Sequence, residues 1–254
     1  QCKLSNIPYP LKSMTLKAVI FGAIGTIAET SDLQRQAFNA AFAEAGLDWN
    51  WDISTYSKLL ATNGGRNRLR AYRDANSNRA GVGNEIIAKL HQSKTKHFGE
   101  LLANTPLSPR PGVVETIDAC QRADIKVAFC TSTAGENVEA IGAALAGLLP
   151  FARFARIVTI EQIAKPKPAP DAYIYCLEQL GIAADEAIAI EDSPASISAA
   201  KAAGITTLAT PGAAVSGQDF YAADLVMPDL TDINVESLSS LLADRWHLAT
   251  YFSL

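Results

Sequence analysis

Four short stretches of this chain carry residues whose types and spacing bear on the binding or transfer of a charged oxygen. Thr131, Ser132 and Thr133 follow an apolar run and precede a helical pattern, so hydroxyls and backbone N–H groups gather where an anionic oxygen is favoured. Lys165 and Lys167 lie in the proline-stiffened "AKPKPAPDAY", ahead of another helix. Glu191 and Asp192 end a third run, with Ser193 placed to cap the helix that follows. The fourth stretch, "KAVIFGAIGTIAET" from Lys17 to Thr30, runs an apolar segment into a Gly22-Ala23-Ile24-Gly25-Thr26 turn. Each has a plain structural use. Hydroxyls before a helix are caps, a lysine in a proline loop is a solvated charge, and acids suit the positive end of a helix. Their combination, in this order and at strand ends, points to a site.

The elements that must position these residues alternate. Apolar or β-branched runs occur at Lys17–Phe21, Ile125–Cys130, Arg156–Ile160, Ala187–Glu191, Ile205–Ala209 and Ala223–Met227. Helical patterns over Gly112–Ala123, Asn137–Ala146, Ala169–Leu180 and Ser193–Ala203 separate most of them. Such alternation predicts a Rossmann-like α/β fold, a doubly wound parallel sheet with helices on both faces and ligands at the carboxyl ends of its strands. Residues 31–107 read differently, with helical patterns and no strand. Leu33, Ala37, Ala41 and Phe42 share one helix face that stops at Gly46, and Trp49, Trp51, Tyr56 and Tyr72 are expected to pack this segment internally. The chain is therefore divided into an α/β core of residues 14–30 and 108–254, an inserted helical cap of 31–107, and an N-terminal extension of 1–13.

With 254 residues, 48% of them hydrophobic, the chain can bury a sizeable core. A net charge of −4 and the absence of a Lys/Arg run argue against nucleic acid as a partner. The apolar runs at Ala18–Ala28 and Ile141–Phe151 fall short of the roughly 20 residues that cross a bilayer, so no membrane partner is expected and the chain is placed in the cytoplasm. Cys2, Cys120, Cys130 and Cys176 are too scattered for a zinc site or a disulfide framework. His91 and His97, six apart on one helix, point in different directions.

On these motifs the sequence resembles the haloacid dehalogenase superfamily of aspartate-nucleophile phosphatases, and within it the CbbY-like and β-phosphoglucomutase-like group that acts on sugar phosphates. The resemblance covers nearly the whole chain from Met14. It implies phosphate-binding hydroxyls at Thr131 and Ser132, a phosphoryl-neutralising lysine at Lys167, and an acidic Mg²⁺-binding motif at Glu191 and Asp192 within "EDSPASISAAKAAGI". In the cap it implies contacts to a phosphorylated sugar from Arg35, Thr62, Gly64, Gly65, Arg66 and Arg68.

The first motif departs from the family, which reads Asp-x-Asp-Gly-Thr; Gly25 and Thr26 match, but Gly22 and Ile24 stand where both aspartates belong. Gly22 offers no nucleophile and Ile24 can neither give nor take a proton. Mg²⁺ requires near-octahedral oxygen ligands, and Glu191, Asp192 and the Ile24 carbonyl leave it weakly held. With two carboxylates gone, an anion is expected to bind through Lys167, Thr131 and the backbone N–H groups of Ala23 and Ile24. The chain is accordingly expected to bind a phosphorylated small molecule, or to act as a regulatory protein partner, with phosphoryl transfer impaired. Two alternatives stand beside this reading. One is an active phosphatase of shifted mechanism, in which Glu191 or Asp192 attacks or positions water. The other is a nucleotide-binding protein, which the turn supports only through Gly22 and Gly25 and without a full G-x-G-x-x-G.

Overall fold

The computed structural model describes residues 15–22, 24–62, 64–215 and 217–251. The N-terminal extension and Ala23 lie outside them. Six parallel strands, β1 (Ala18–Phe21), β2 (Lys126–Cys130), β3 (Arg156–Val158), β4 (Ala187–Glu191), β5 (Thr206–Ala209) and β6 (Leu225–Val226), form one sheet in the order β3-β2-β1-β4-β5-β6. β1 is central, with Phe21 opposite Phe129 on one side and Ile190 on the other. A strand paired on both edges and covered on both faces must be apolar throughout, and all four β1 residues are buried. Its side chains alternate. Val19 and Phe21 join the cluster under α6 (Val113–Arg122), α7 (Gly135–Leu145) and α10 (Val235–Tyr251), while Ala18 and Ile20 join the one under α8 (Asp171–Leu180) and α9 (Pro194–Ala202).

Two strands end short of the expected ranges. β3 stops at Val158 because the Thr159 N–H donates to the Gln162 side chain at 2.6 Å, turning the backbone into a 3₁₀ turn over Ile160–Gln162. β6 covers only Leu225–Val226, since the Asp224 carboxylate accepts from the Thr207 N–H at 2.7 Å and so takes a place in the ladder.

Between β1 and β2 come a short helical turn α1 (Ile24–Ile27) and helices α2 (Ser31–Glu44), α3 (Ile53–Leu59), α4 (Gly65–Asp74) and α5 (Asn84–Asn104), with no strand among the described residues. α2 buries Ala37, Phe38, Ala41 and Phe42; Leu33, expected on that face, is half-buried against the sheet's own core instead. Phe38, Phe42, Trp49, Trp51, Tyr56 and Tyr72 do pack together, Phe38 and Trp51 at 4.6 Å between ring centres. These rings hold the helical segment together and are not laid out for stacking on a ligand.

The segment leaves and rejoins the sheet through two strands of backbone that touch, the Arg110 N–H donating to the Ile27 carbonyl at 2.7 Å. Arg110 then spreads its guanidinium over the carbonyls of Gly25, Thr210, Pro211 and Pro228 at 2.8–3.1 Å. The loop after β5 completes the seam. Its Ala213 N–H donates to Glu29, its Ala214 carbonyl accepts from Ser57 on α3, and Leu60 packs on Val215 and Phe220.

α5 carries an apolar stripe of Ile87, Leu90, Phe98 and Leu102, with Lys94 in the middle of it, 5% exposed. The Lys94 ammonium bonds to the Gln34 side chain one turn into α2 and lies over Phe38 and Phe98, 5.2 and 4.7 Å from the ring centres. Burial first, then the nearby Arg68, pushes its pKa down to about 7. The unfolded chain holds this proton up to about 10.5, so between 7 and 10.5 it binds more protons than the folded one, and stability rises with pH across that window. Chemical denaturation of the wild-type protein at a series of pH values is expected to show this gain, and Lys94→Met is expected to lack it; equal slopes for both proteins contradict the assignment.

Candidate functional site

Because β1, β2 and β4 are adjacent and in register, their carboxyl ends bring Gly22, Thr131 and the Glu191–Asp192 pair together, as the sequence led one to expect. Lys167 joins them from the loop before α8, and it is buried. Its ammonium has three protons, and three acceptors meet them: the Cys130 carbonyl at 3.0 Å, the Tyr173 hydroxyl at 2.8 Å and Glu191 Oε1 at 2.9 Å. Glu191 is fully buried. An ion pair this deep persists only with good geometry and satisfied donors, which Tyr173 and Cys130 supply.

The position of Glu191 explains a glycine. A Cβ added to Gly22 would lie 2.0 Å from the Glu191 carboxyl carbon and 2.0–2.1 Å from its oxygens, so the carboxylate fills the volume that a residue-22 side chain would use. Asp192 does the same at Gly25, its Oδ2 lying 2.0 Å from the Cβ position. The side chain of Ile24, at the second aspartate position, is buried in the core cluster beneath the sheet with Ile27 and Val113.

A divalent cation tests poorly against these donors. Asp192 Oδ1 is sealed from water without a hydrogen-bond partner, and burial pushes the Asp192 carboxyl above its ordinary range, both of which a cation would relieve. Glu191, however, is committed to Lys167, and Gly22 supplies no oxygen from a side chain. Among the described residues no three His, Cys, Asp or Glu side chains converge in a metal-holding group. Asp192 is then the one uncommitted carboxylate at these strand ends, the low end of the one or two that ordinarily hold Mg²⁺ among its waters, so the ion would be weakly held.

The hydroxyl loop is folded on itself. Thr131 Oγ1 accepts from the Thr133 N–H at 3.1 Å and Ser132 Oγ accepts from the Lys167 N–H at 2.9 Å, which leaves each hydroxyl its own proton to donate. At the start of α7 the Gly135 N–H is already met by both oxygens of Glu161 at 3.2 Å. Hydrogen bonding from Thr159 holds that carboxyl below its usual range, so it is an anion seated where the sequence suggested an anionic oxygen. Lys165 is exposed and takes no part.

In the helical segment the expected contacts divide. Arg35 is turned away, its guanidinium donating to Asp32 at 2.9 Å and to the Trp51 carbonyl at 3.0 Å. Arg68 braces the loop that leads into α4, donating to the carbonyls of Leu59 and Thr62 and to the Tyr56 hydroxyl. Thr62 and Gly64 form that loop, Gly65 opens α4 against His91, and Arg66 is exposed. His91 is pushed down to about 4 by burial, then by the charges of Lys94, Arg66 and Arg68.

Sequence reasoning missed Lys94, Gln34, Tyr173, Glu161 and Arg110. Lys94 had a signal, a lysine inside an apolar stripe of helical period. Arg110 and Glu161 act through contacts distant in sequence and left none. A shallow cavity of about 550 Å³ at the β6 edge, between Gly217 and Val226, contains none of these groups.

Residues 16–204 match the model of the haloacid dehalogenase-like hydrolases. The chain is 38% identical over 228 residues to protein CbbY of Rhodobacter capsulatus, covering 90% of this chain and all of that one. It is 40% identical over 220 residues to the plasmid-encoded CbbY of Cupriavidus necator, covering 85% and 87%. The structure superimposes on that of CbbY from Rhodobacter sphaeroides in complex with phosphate with a TM-score of 0.79 at 35% identity, over 86% and 96% of the two chains. A variant of the latter protein was solved with xylulose-(1,5)-bisphosphate, with the same TM-score and identity. β-Phosphoglucomutase of Clostridium difficile, 17% identical, shares the fold with a TM-score of 0.77. With the parallel sheet, the convergent strand ends and these relatives in agreement, this chain belongs to the haloacid dehalogenase-like hydrolase family.

Proposed function

We propose that this chain binds a phosphorylated small molecule, a sugar phosphate, between a helical cap (residues 31–107) and its α/β core (14–30 and 108–254), without transferring the phosphoryl group. The observation that carries the reading is the state of positions 22 and 24. One has no side chain and its space is filled by Glu191; the other is an isoleucine buried in the core. Acid–base catalysis alone is worth about 10²–10⁴-fold, and the covalent route is lost with it. Glu191, held by Lys167 and fully buried, is a poor substitute nucleophile, so a shifted mechanism is disfavoured. Mg²⁺ is correspondingly weak at this site.

Ligand binding is supported by what remains. Thr131 and Ser132 keep donor protons at the strand ends. Arg66 is exposed at the start of α4, and a CbbY relative was crystallised with a sugar bisphosphate. The buried thiols of Cys120, Cys130 and Cys176 suit a reducing cytoplasm.

Phosphate release from a panel of sugar mono- and bisphosphates with Mg²⁺ is expected to stay at the uncatalysed background, while sugar phosphates raise the melting temperature in EDTA. Turnover in the ordinary enzymatic range of about 1–10³ s⁻¹ would show that another group carries the attack.

A further inference from the structure

The helical segment is fastened to the sheet on two sides, and the two fastenings differ in kind. On the side of α5 the segment is built into the core itself. Ala37 of α2 and Phe98 and Leu102 of α5 lie in the same apolar cluster as Ile27, Val138 and Ile141, none of the three more than 3% exposed. Withdrawing them would leave a cavity in a close-packed interior, which is costly. The two passes of backbone meet on this side as well, where the Arg110 N–H donates to the Ile27 carbonyl.

On the side of α3 the fastening is made by the loop after β5, residues 210–215, and it is light. The loop starts on the acidic strand end, the Thr210 N–H donating to the Glu191 carbonyl at 2.7 Å and the Gly212 N–H to the Asp192 carbonyl at 3.4 Å. Its base is stiff, since Pro211 fixes one backbone angle and Arg110 grips the carbonyls of both Thr210 and Pro211. Glu29 ties it sideways, accepting from the Ala213 N–H at 3.0 Å and from the Ser31 N–H at 3.1 Å. The loop is therefore part of the sheet's own framework, and two groups of the helical segment reach it. The Ser57 hydroxyl donates to the Ala214 carbonyl. Leu60, half-buried, packs at once on the aromatic cluster of the segment and on the cluster of Ile197, Ala209, Val215 and Phe220. A neutral hydrogen bond and one half-buried leucine hold far less firmly than the packing on the α5 side.

We infer that the loop of residues 210–215 is a strap that holds the helical segment shut over the strand ends through Ser57 and Leu60, and that the segment opens by releasing these two while Phe98 and Leu102 stay packed as its pivot. Opening separates α3 from the loop, so the seam parts beside Glu191 and Asp192. The contacts that hold it shut are the chain's own, and the strap acts whether or not a sugar phosphate binds. Local opening of this kind draws on the least firmly held contacts of a fold, which here are those of α3.

Pulsed electron double resonance between spin labels placed by Ser54→Cys on α3 and Gln179→Cys on α8, both at exposed positions, reads the opening with no ligand present. Cys2→Ser removes a competing thiol, and Cys120, Cys130 and Cys176 are buried. The labelled protein is expected to show one dominant distance. Ser57→Ala with Leu60→Ala is expected to raise a second, longer population by ~10-fold or more, and Ser57→Ala alone by ~5-fold. The single variant leaves all apolar packing in place and decides the question if the double variant does not fold. Leu102→Ala, on the pivot side, is expected to lower Tm without adding the longer distance. Two populations already present in the labelled parent, a parental distribution in the Ser57 and Leu60 variants whatever their Tm, or a longer population produced by Leu102→Ala each overturn the proposal.

Discussion

The Lys167–Glu191 ion pair is the constraint around which the site is arranged. Both groups are buried at the carboxyl edge of the sheet, and neither tolerates that environment alone. Glu191 is the counter-charge of Lys167 and occupies the space over Gly22 to reach it. Tyr173 and the Cys130 carbonyl complete the ammonium's coordination and tie α8 and β2 into the same arrangement. Lys167, Glu191, Tyr173 and the Cys130 carbonyl form a satisfied polar network, and such a network in a low-dielectric setting is rigid.

A second set of contacts fixes the helical segment to the sheet. Arg110 joins the returning backbone to the turn after β1 and to the loops after β5 and β6, using one guanidinium for four carbonyls. The loop after β5 also receives Glu29 and Ser57. Few of these bonds involve charge pairs. They are contacts to carbonyls and amides that set the position of the helical segment on the sheet.

Much of the fold was legible because a parallel sheet covered on both faces requires uninterrupted apolar strands. Lys17–Phe21, Ala187–Glu191 and Ile205–Ala209 read that way and fold that way, within a residue. The two outer strands were overstated where Gln162 and Asp224 side chains replace ladder bonds, a competition that composition does not reveal. In the site, the convergence of Thr131, Lys167, Glu191 and Asp192 follows from their places at strand ends. That Glu191 lies over Gly22 does not, since it depends on a side-chain direction set by Lys167 from a separate loop. Arg35 was assigned by resemblance to contact a phosphorylated sugar, and its donors are met by Asp32, three residues before it, and by the Trp51 carbonyl.

The most direct measurement is the anomalous difference map of crystals grown with millimolar Mn²⁺, a redox-quiet stand-in for Mg²⁺ with the same preference for oxygen. The account predicts no peak at Asp192 and a Glu191 carboxylate still within hydrogen-bonding distance of the Lys167 ammonium. A peak bound by Asp192 together with a Glu191 swung away from Lys167 would contradict it, because the core end would then be open to a metal ion.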